Sequence, residues 1–397
     1  MSEMIDYKIV KITDLGTVNR GKSKHRPRND SILYGGKYPF IQTADVKRAN
    51  LYLSDYSQTY NEIGLKQSKL WKKGTLCFTI AANIADSAIL DMDACFPDSI
   101  VGFLPYENIS DTIYVKYLFD ELKLYFQQIS KGTTQDNLSL DKICRVKLRV
   151  PNYETQKKIA LVLSTYDNLI ENNNKRIHVL EQMAENLYKE WFVRFRFPGY
   201  ENVEFKEKKP RGWQVGTEDK KHFVPITFKY DEFENIGSFV RGKNITAAKM
   251  VKGDIPVISA GLQPSGYHNK ANVYGANLTI SASGANAGYL KYNMTDVWAA
   301  DCSYYQDDAT IWFVYNTLKY LQPVISNLQC GAAQPHVYPK NLNKLCVLIP
   351  TDALIHKYNN FVKPYYDEIK ILNQHNQLLI KQRDMLLPRL MSGKLEV

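Results

Sequence analysis

Apolar positions along this chain follow two alternating periods. From Leu163 they fall at Tyr166, Ile170, Asn173, Ile177, Leu180, Ala184 and Leu187, in steps of three and four. A second run places Val362, Tyr365, Ile369, Leu372, Asn376, Leu379, Arg383, Leu386 and Leu390 in the same alternation. This spacing is the narrow seam of a helix that pairs with another helix, and one Asn interrupts each seam. Two matching seams in one chain predict an intramolecular coiled coil; the alternative is a pair of helices each laid on a globular core. Ahead of each helix the period is near two. Leu76, Phe78 and Ile80 alternate with other residues, as do Leu278, Ile280 and Ala282, which predicts half-buried strands between Gly-rich turns. The strand-rich segments belong to mixed α+β domains.

The two halves repeat one another. "GTTQDNLSLDKICRVKLRVP" from Gly132 is answered by "GAAQPHVYPKNLNKLCVLIP" from Gly331, an offset of 199 kept over both stretches. "LGTVNRGK" from Leu15 is answered by "IGSFVRGK" from Ile236, "GGKYPFIQTADV" by "KGDIPVISAGLQ", and "TLCFTIAANIADSAIL" by "NLTISASGANAGYLKY". A repeat of this size sets the architecture. The expected order is a first domain over 1–152, a central helix over 153–197, a linker and second domain over 198–352, and a C-terminal helix over 353–397. If the second helix pairs antiparallel with the first, it returns towards the first domain. The expected molecule is then a dumbbell, pseudo-twofold across its rod.

Charge narrows the function. Lys and Arg number 51 against 41 Asp and Glu, which favours a polyanionic partner, although excess charge also serves solubility. In "NRGKSKHRPRND", Arg20, Lys22, Lys24, Arg26 and Arg28 recur every second residue, so an extended segment would carry them on one side where they could track phosphates. The bland alternative is a solvated loop. Arg241 and Lys243, followed by Lys249 and Lys252, recur at the matching place in the other copy, which favours a DNA-facing turn. Polar side chains in the nearby turns, namely Gln42, Thr43, Asn83, Ser259, Gln263, Ser283 and Asn286, suit adenine edges and phosphates, though each is also an ordinary turn residue. Gln135 and Gln334 hold equivalent places, and a purely structural role for their Gly-x-x-Gln turn stays open. His268 and His336 lack a second ligand at metal spacing and are expected as polar surface or DNA contacts, so no metal site is expected. Six cysteines without a Cys-x-x-Cys pair suggest reduced core thiols and a cytoplasmic setting. The start "MSEMIDYK" has no leader-like pattern, and no apolar run approaches ~18 residues, so neither secretion nor membrane insertion is indicated.

Catalytic motifs are missing where a DNA enzyme would need them. There is no Pro-Pro pair for the Asp/Asn-Pro-Pro-Tyr/Phe loop of an adenine methyltransferase, and "SASGANAGY" has neither phosphate-loop nor dinucleotide spacing. Pro97-Asp98 followed by Glu121-Leu122-Lys123 is the nearest thing to a nuclease signature, but helical spacing around Glu121 puts it and Lys123 on different faces.

The repeated domain–helix plan, the helix exit "NLYKEWFVRFRFPGY" and the closing "LLPRLMSGKLEV" resemble the specificity subunit of type I restriction-modification systems over essentially the whole chain. The helical motifs carry the match, and the domains match in layout. The resemblance implies two target recognition domains, each reading half of a split site in double-stranded DNA. It also implies helices that set the spacer and dock two methyltransferase (modification) subunits, with restriction/translocase subunits reached through them. It implies no catalysis and no cofactor on this chain, with S-adenosylmethionine, ATP and Mg²⁺ on the partner subunits. Two alternatives remain: a coiled-coil scaffold without DNA specificity, and a stand-alone restriction or modification enzyme.

Overall fold

The computed structural model describes residues 7–131, 138–208, 222–329 and 335–397. The chain divides into two compact units, Met1–Asn174 with Gln374–Val397, and Lys175–Asn373. Each unit therefore contains one strand-rich domain and a part of each of the two long helices, Tyr153–Tyr188 and Asp352–Met391. The cuts fall after Asn174 and after Asn373, the same offset of 199 that relates the sequence repeats.

In the first unit a five-stranded sheet runs in the order Gly16–Arg20, Ile100–Pro105, Leu76–Thr79, Ser87–Leu90, Tyr52–Leu53. The first four strands are antiparallel to their neighbours, and Tyr52–Leu53 joins Ser87–Leu90 in parallel. A second sheet runs Gln58–Tyr60, Tyr34–Phe40, Ala94–Cys95, Leu70–Trp71. Alternation in Leu76–Thr79 predicts one wet face, yet all four residues are buried. The reason is that both faces are covered. Leu76 and Phe78 pack with Tyr117, Phe119 and Phe126 of the helices Thr112–Glu121 and Lys123–Ser130, while Cys77 packs with Ala88, Ile100, Trp71 and Phe96 on the other side. An antiparallel pair of Tyr7–Val10 and Leu148–Pro151 closes the domain and passes the chain to the central helix.

The second unit repeats this wiring. Its main sheet runs Val240–Arg241, Cys302–Tyr305, Asn277–Ser281, Leu290–Asn293, strand for strand the order of the first four strands above. The helices Ile311–Tyr320 and Gln322–Asn327 follow, and Lys229–Glu232 pairs with Cys346–Ile349 as the closing pair. Asn277–Ser281 is again wholly buried, and its polar members are satisfied from inside: Asn293 Nδ2 donates to Asn277 Oδ1 at 3.0 Å and to Thr279 Oγ1 at 3.2 Å. The repeat is thus one of topology as well as of sequence.

The two long helices run antiparallel within each unit. In the first, Asn173 Nδ2 donates to Asn376 Oδ1 at 2.9 Å, Asn376 Nδ2 donates to Asn174 Oδ1 at 2.8 Å, and Arg383 pairs with Asp167. In the second, Arg176 pairs with Glu368 at 2.6 Å and the Tyr358 hydroxyl donates to the Ala184 carbonyl at 2.8 Å. Ile170, Ile369, Leu372 and Asn376 are buried; Tyr166, Asn173, Ile177, Leu180, Leu187, Tyr365, Leu379 and Leu386 are half-buried. The stripe is not confined to the positions expected of it. Tyr188 and Tyr366, each one residue beyond a seam position, are buried more deeply than Leu187 and Tyr365. Both face domain side chains: Tyr366 stacks on Trp312 at 3.7 Å between ring centroids, and Tyr188 lies 6.1 Å from Phe313. Helix pairing and helix-on-core packing therefore both occur, because the seam widens wherever a helix also meets a domain. The central helix leaves α geometry at a π turn, Lys189–Val193, which buries Trp191 and Phe192. Among the described residues, no helix is long and apolar enough to cross a membrane.

The Asp167 side chain is only 1% exposed and also accepts from the Tyr117 hydroxyl, which burial and the adjacent carboxylate hold well above its ordinary pKa. Removing one partner of a buried ion pair leaves an uncompensated charge. Arg383→Met is expected to destabilise the chain by about 3–5 kcal/mol, whereas adding Asp167→Leu should recover most of that loss. Equilibrium urea unfolding of the full-length wild type and the two variants reads this, and equal stability of the single and double variants would contradict it.

Candidate nucleic-acid interface

The repeated Arg-Gly-Lys turn makes corresponding backbone hydrogen bonds in both domains. Gly21 N donates to Ile100 O at 2.8 Å and Lys22 N to Phe96 O at 3.0 Å; Gly242 N donates to Cys302 O at 2.8 Å and Lys243 N to Ala299 O at 2.9 Å. A Cβ on Gly21 would sit 2.3 Å from Pro97 O, and one on Gly242 would sit 2.4 Å from Ala300 O. Only glycine permits this approach. It presses the chain against the neighbouring segment and leaves Arg20, Lys22, Arg241 and Lys243 exposed on either side.

The five cations of the first turn do not form one row. Alternation holds from Arg20 to Lys24, with Gly21 and Ser23 buried between exposed cations. Gln67 Oε1 pins this part by accepting from Lys24 N at 2.6 Å and His25 N at 3.0 Å, and Ser68 Oγ donates to Lys22 O at 2.7 Å. The chain then turns. Arg26 folds back, its Nη1 donating to the carbonyls of Ser23 and His25, both at 2.8 Å, and Arg28 Nη2 reaches Asp98 at 2.7 Å. The strand-like spacing fails here because Pro27 has no N–H to continue a ladder and the segment bends. His25 bonds Asp30 at 2.9 Å, and together with the Ile32 amide this holds the Asp30 carboxyl below its usual range.

Arg28 opens onto a cleft of about 240 Å³ that also holds Tyr34, Gln42, Thr43 and Gln58. Gln42 starts the helix Thr43–Arg48, its amide N donating to Asp45 Oδ2 at 2.8 Å, and its side-chain Nε2 donates to Gln58 Oε1 at 2.5 Å. Lys47 of the same helix donates to Asn83 Oδ1 at 3.1 Å, tying in the "AANIAD" turn, where Ala82, Asn83 and Ala85 all have positive φ. The first-domain candidates therefore gather around one helix and one turn.

The second domain gathers Arg241, Ser283 and His336 around Asp301. Arg241 Nη2 and Ser283 Oγ both bond the Asp301 carboxylate, and the His336 backbone bridges that of Ser283. Ser283 is only 9% exposed, so its hydroxyl serves Asp301 and does not face solvent as a contact residue would. Ser259 and Gln263 lie in the turn between Ile255–Ile258 and Gly266–His268, Ser259 Oγ being 3.0 Å from Ser265 Oγ and Gln263 exposed. Lys249 ends an exposed turn at Ala247–Lys249, Lys252 is exposed just beyond it, and Asn286 ends the turn Gly284–Asn286 half-buried. His268 is neither surface nor contact: it is 7% exposed, its Nδ1 accepts from Val251 N at 3.0 Å, and it meets Trp298 edge-on. Gln135 and Gln334 lie outside the described residues.

Among the described residues, the side chains of the nuclease-like pattern do not converge. Asp98 is taken by Arg28, Lys123 bonds Asp86 at 2.6 Å, and Glu121 is exposed at the end of its helix, which breaks at Leu122 instead of running on as one. Among the described residues no three or more His, Cys, Asp or Glu side chains are grouped to hold a metal ion. Burial pushes the Cys302 thiol up to about 12, as befits a core side chain. Asp98, Asp301, Gln58 and Gln67 hold the interface together, yet no motif announces them, because a lone Asp or Gln acquires its partner only through the fold.

The arrangement is one basic-turn module built twice. The family model described as type I restriction modification DNA specificity domain matches residues 4–182 and 226–381, and the chain belongs to this family. It is 26% identical over 413 residues to the type I restriction enzyme MjaIX specificity subunit of Methanocaldococcus jannaschii, covering 99% of this chain and 94% of the relative. It is 22% identical over 470 residues to the type I restriction enzyme HindI specificity subunit of Haemophilus influenzae, covering 96% and 98%. The fold is similar to the crystal structure of the type I restriction-modification system S subunit from M. genitalium, with a TM-score of 0.60 and 16% identity, covering 98% of this chain and 97% of that one. The chain is thus a specificity component of a type I system and not its enzyme.

Gln67→Leu should free the basic turn without touching its cations. Two amides, of Lys24 and His25, lose their acceptor, which costs locally about 1–3 kcal/mol. Hydrogen exchange at these two amides should accelerate while the sheet amides of Ile100–Pro105 stay protected; unchanged exchange at both would show that the turn is held otherwise.

Proposed function

We propose that each domain reads one half of a bipartite site in double-stranded DNA, and that the two helices set the spacing and dock two methyltransferase subunits, which in turn engage restriction/translocase subunits. The observation that carries this is the Arg-Gly-Lys turn, built twice with the same glycine contact and the same outward cations. A scaffold with no DNA role has no use for that repetition. In this reading the domain limits are 1–152 and 198–352, with helices over 153–197 and 353–397. Arg20, Lys22, Lys24, Lys243 and Lys249 grip phosphates, while Gln42, Thr43, Asn83, Ser259, Gln263, Asn286 and His336 lie where base edges and sugars pass. Gln135 and Gln334 are proposed contacts on sequence position alone. The target adenine is swung out into a partner's pocket, so S-adenosylmethionine, ATP and Mg²⁺ belong to the partners and this chain decides only where they act. The setting is the cytoplasm, where the genome is accessible.

Two measurements test this. Lys22→Ala with Lys24→Ala should weaken binding to all duplexes and flatten the log–log salt dependence by about 0.9 for each phosphate no longer neutralised; an unchanged slope would make the turn a solvated loop. Exchanging residues 7–150 for the equivalent domain of a relative should change one half of the methylated motif, and methylome sequencing that finds both halves altered would refute independent reading.

A further inference from the structure

Two arginines of the interface differ from its lysines in that a carboxylate holds each of them. Arg28 Nη2 donates to both oxygens of Asp98, at 2.7 and 2.9 Å, and Arg241 Nη2 bonds Asp301, whose other oxygen accepts from the buried Ser283. The Arg28 and Arg241 side chains are nevertheless 46% and 40% exposed. In both domains the carboxylate comes from the segment against which the Arg-Gly-Lys glycine packs, just before or at the start of the strand beside it. The same device has therefore been built twice from different residues.

Resting on the DNA-reading function above, we infer that Arg28 and Arg241 read guanine edges, one in each half-site, and that Asp98 and Asp301 are the positioning residues that make them base readers. The physical argument concerns charge and shape. An arginine neutralised by its own aspartate gains little from a phosphate, since the carboxylate repels the anion and the pair releases no net counterion. The guanine edge offers neutral acceptors at O6 and N7 and does not suffer that repulsion. With one Nη committed, the planar guanidinium is fixed in orientation and presents its remaining donors as a fork, which a flexible lysine cannot do. For Arg28 the fork borders the cleft lined by Gln42, Thr43 and Gln58, so the base edge it meets lies next to amide groups suited to adenine. Lys22 and Lys24 nearby are exposed, with no carboxylate bonded to either among the described residues, and keep the phosphate role.

The test is selection of duplexes from a random-sequence library by the full-length chain, together with the salt dependence of binding to the selected duplex. Wild type should enrich a bipartite motif. Arg28→Lys should lose guanine preference in one half only, with discrimination there falling roughly 5- to 100-fold and the salt slope unchanged. Arg241→Lys should do the same in the other half. Asp98→Asn, which keeps shape and removes charge, should weaken the same preference as Arg28→Lys while steepening the slope by about 0.9, because the freed arginine now takes a phosphate. An Arg28→Lys variant with intact base preference, or an Asp98→Asn variant with both preference and slope of wild type, would overturn the inference and leave the DNA-reading function standing. A wild-type chain that enriches no motif would overturn both.

Discussion

Both compact units are built on the same two helices, so the structure depends on those helices pairing antiparallel in one register. Apolar seams alone specify this weakly, because a heptad slip meets much the same side chains. Polar contacts remove the ambiguity. Asn173 and Asn376 bond each other at 2.9 Å, and the buried Asp167 requires Arg383 opposite it, since a slip would strand a charge in the core. The two ends of the seam are built differently. In the first unit Tyr117 of the domain completes a polar contact with Asp167, whereas in the second Trp312 stacks on Tyr366 and the packing is aromatic.

A second constraint acts through glycine. Gly21 and Gly242 let two backbones approach within a distance that any Cβ would block, and that approach turns the flanking side chains outward. Cations gathered on one surface repel each other, and the fold tolerates them because the turn is fixed by backbone and amide bonds: Gln67 to two N–H groups, Ser68 to a carbonyl. Electrostatic cost is thus separated from structural support. Asp98 holds Arg28 in the first unit and Asp301 holds Arg241 in the second, so the arginine charges are tempered by a neighbouring carboxylate.

The central strand of each domain is fixed by burial, and the turn after it is held by polar contacts. Leu76–Thr79 and Asn277–Ser281 are buried on both faces, so they tolerate little change in volume or polarity. The turns that follow are mixed, with Ala85, Ala282, Ser283 and Ala287 buried and Ala82, Asn83, Ala285 and Asn286 at least partly exposed. "AANIAD" and "SASGANAGY" hang from equivalent strands yet share few side chains, and their polar residues take different partners: Lys47 for Asn83, Asp301 for Ser283.

The sequence by itself determined the duplication, the two seams, the alternation of domain and helix, and the outward basic turn, because each is a property of residues near one another along the chain. Periodicity records which face a helix buries, and a glycine between two cations records a close approach. What the sequence could not determine is which distant residues meet. The fully buried strand Leu76–Thr79 looked half-exposed because its second cover, built around Trp71 and Phe96, comes from residues with no periodic mark. The row of five cations was cut to three by a bend at Pro27 and by Asp98, seventy residues away from Arg28. His268 became a core side chain because Trp298 and the Val251 amide surround it. Ion pairs and caps of this kind depend on distances of a few ångströms between segments far apart in sequence, and only the tertiary structure decides those.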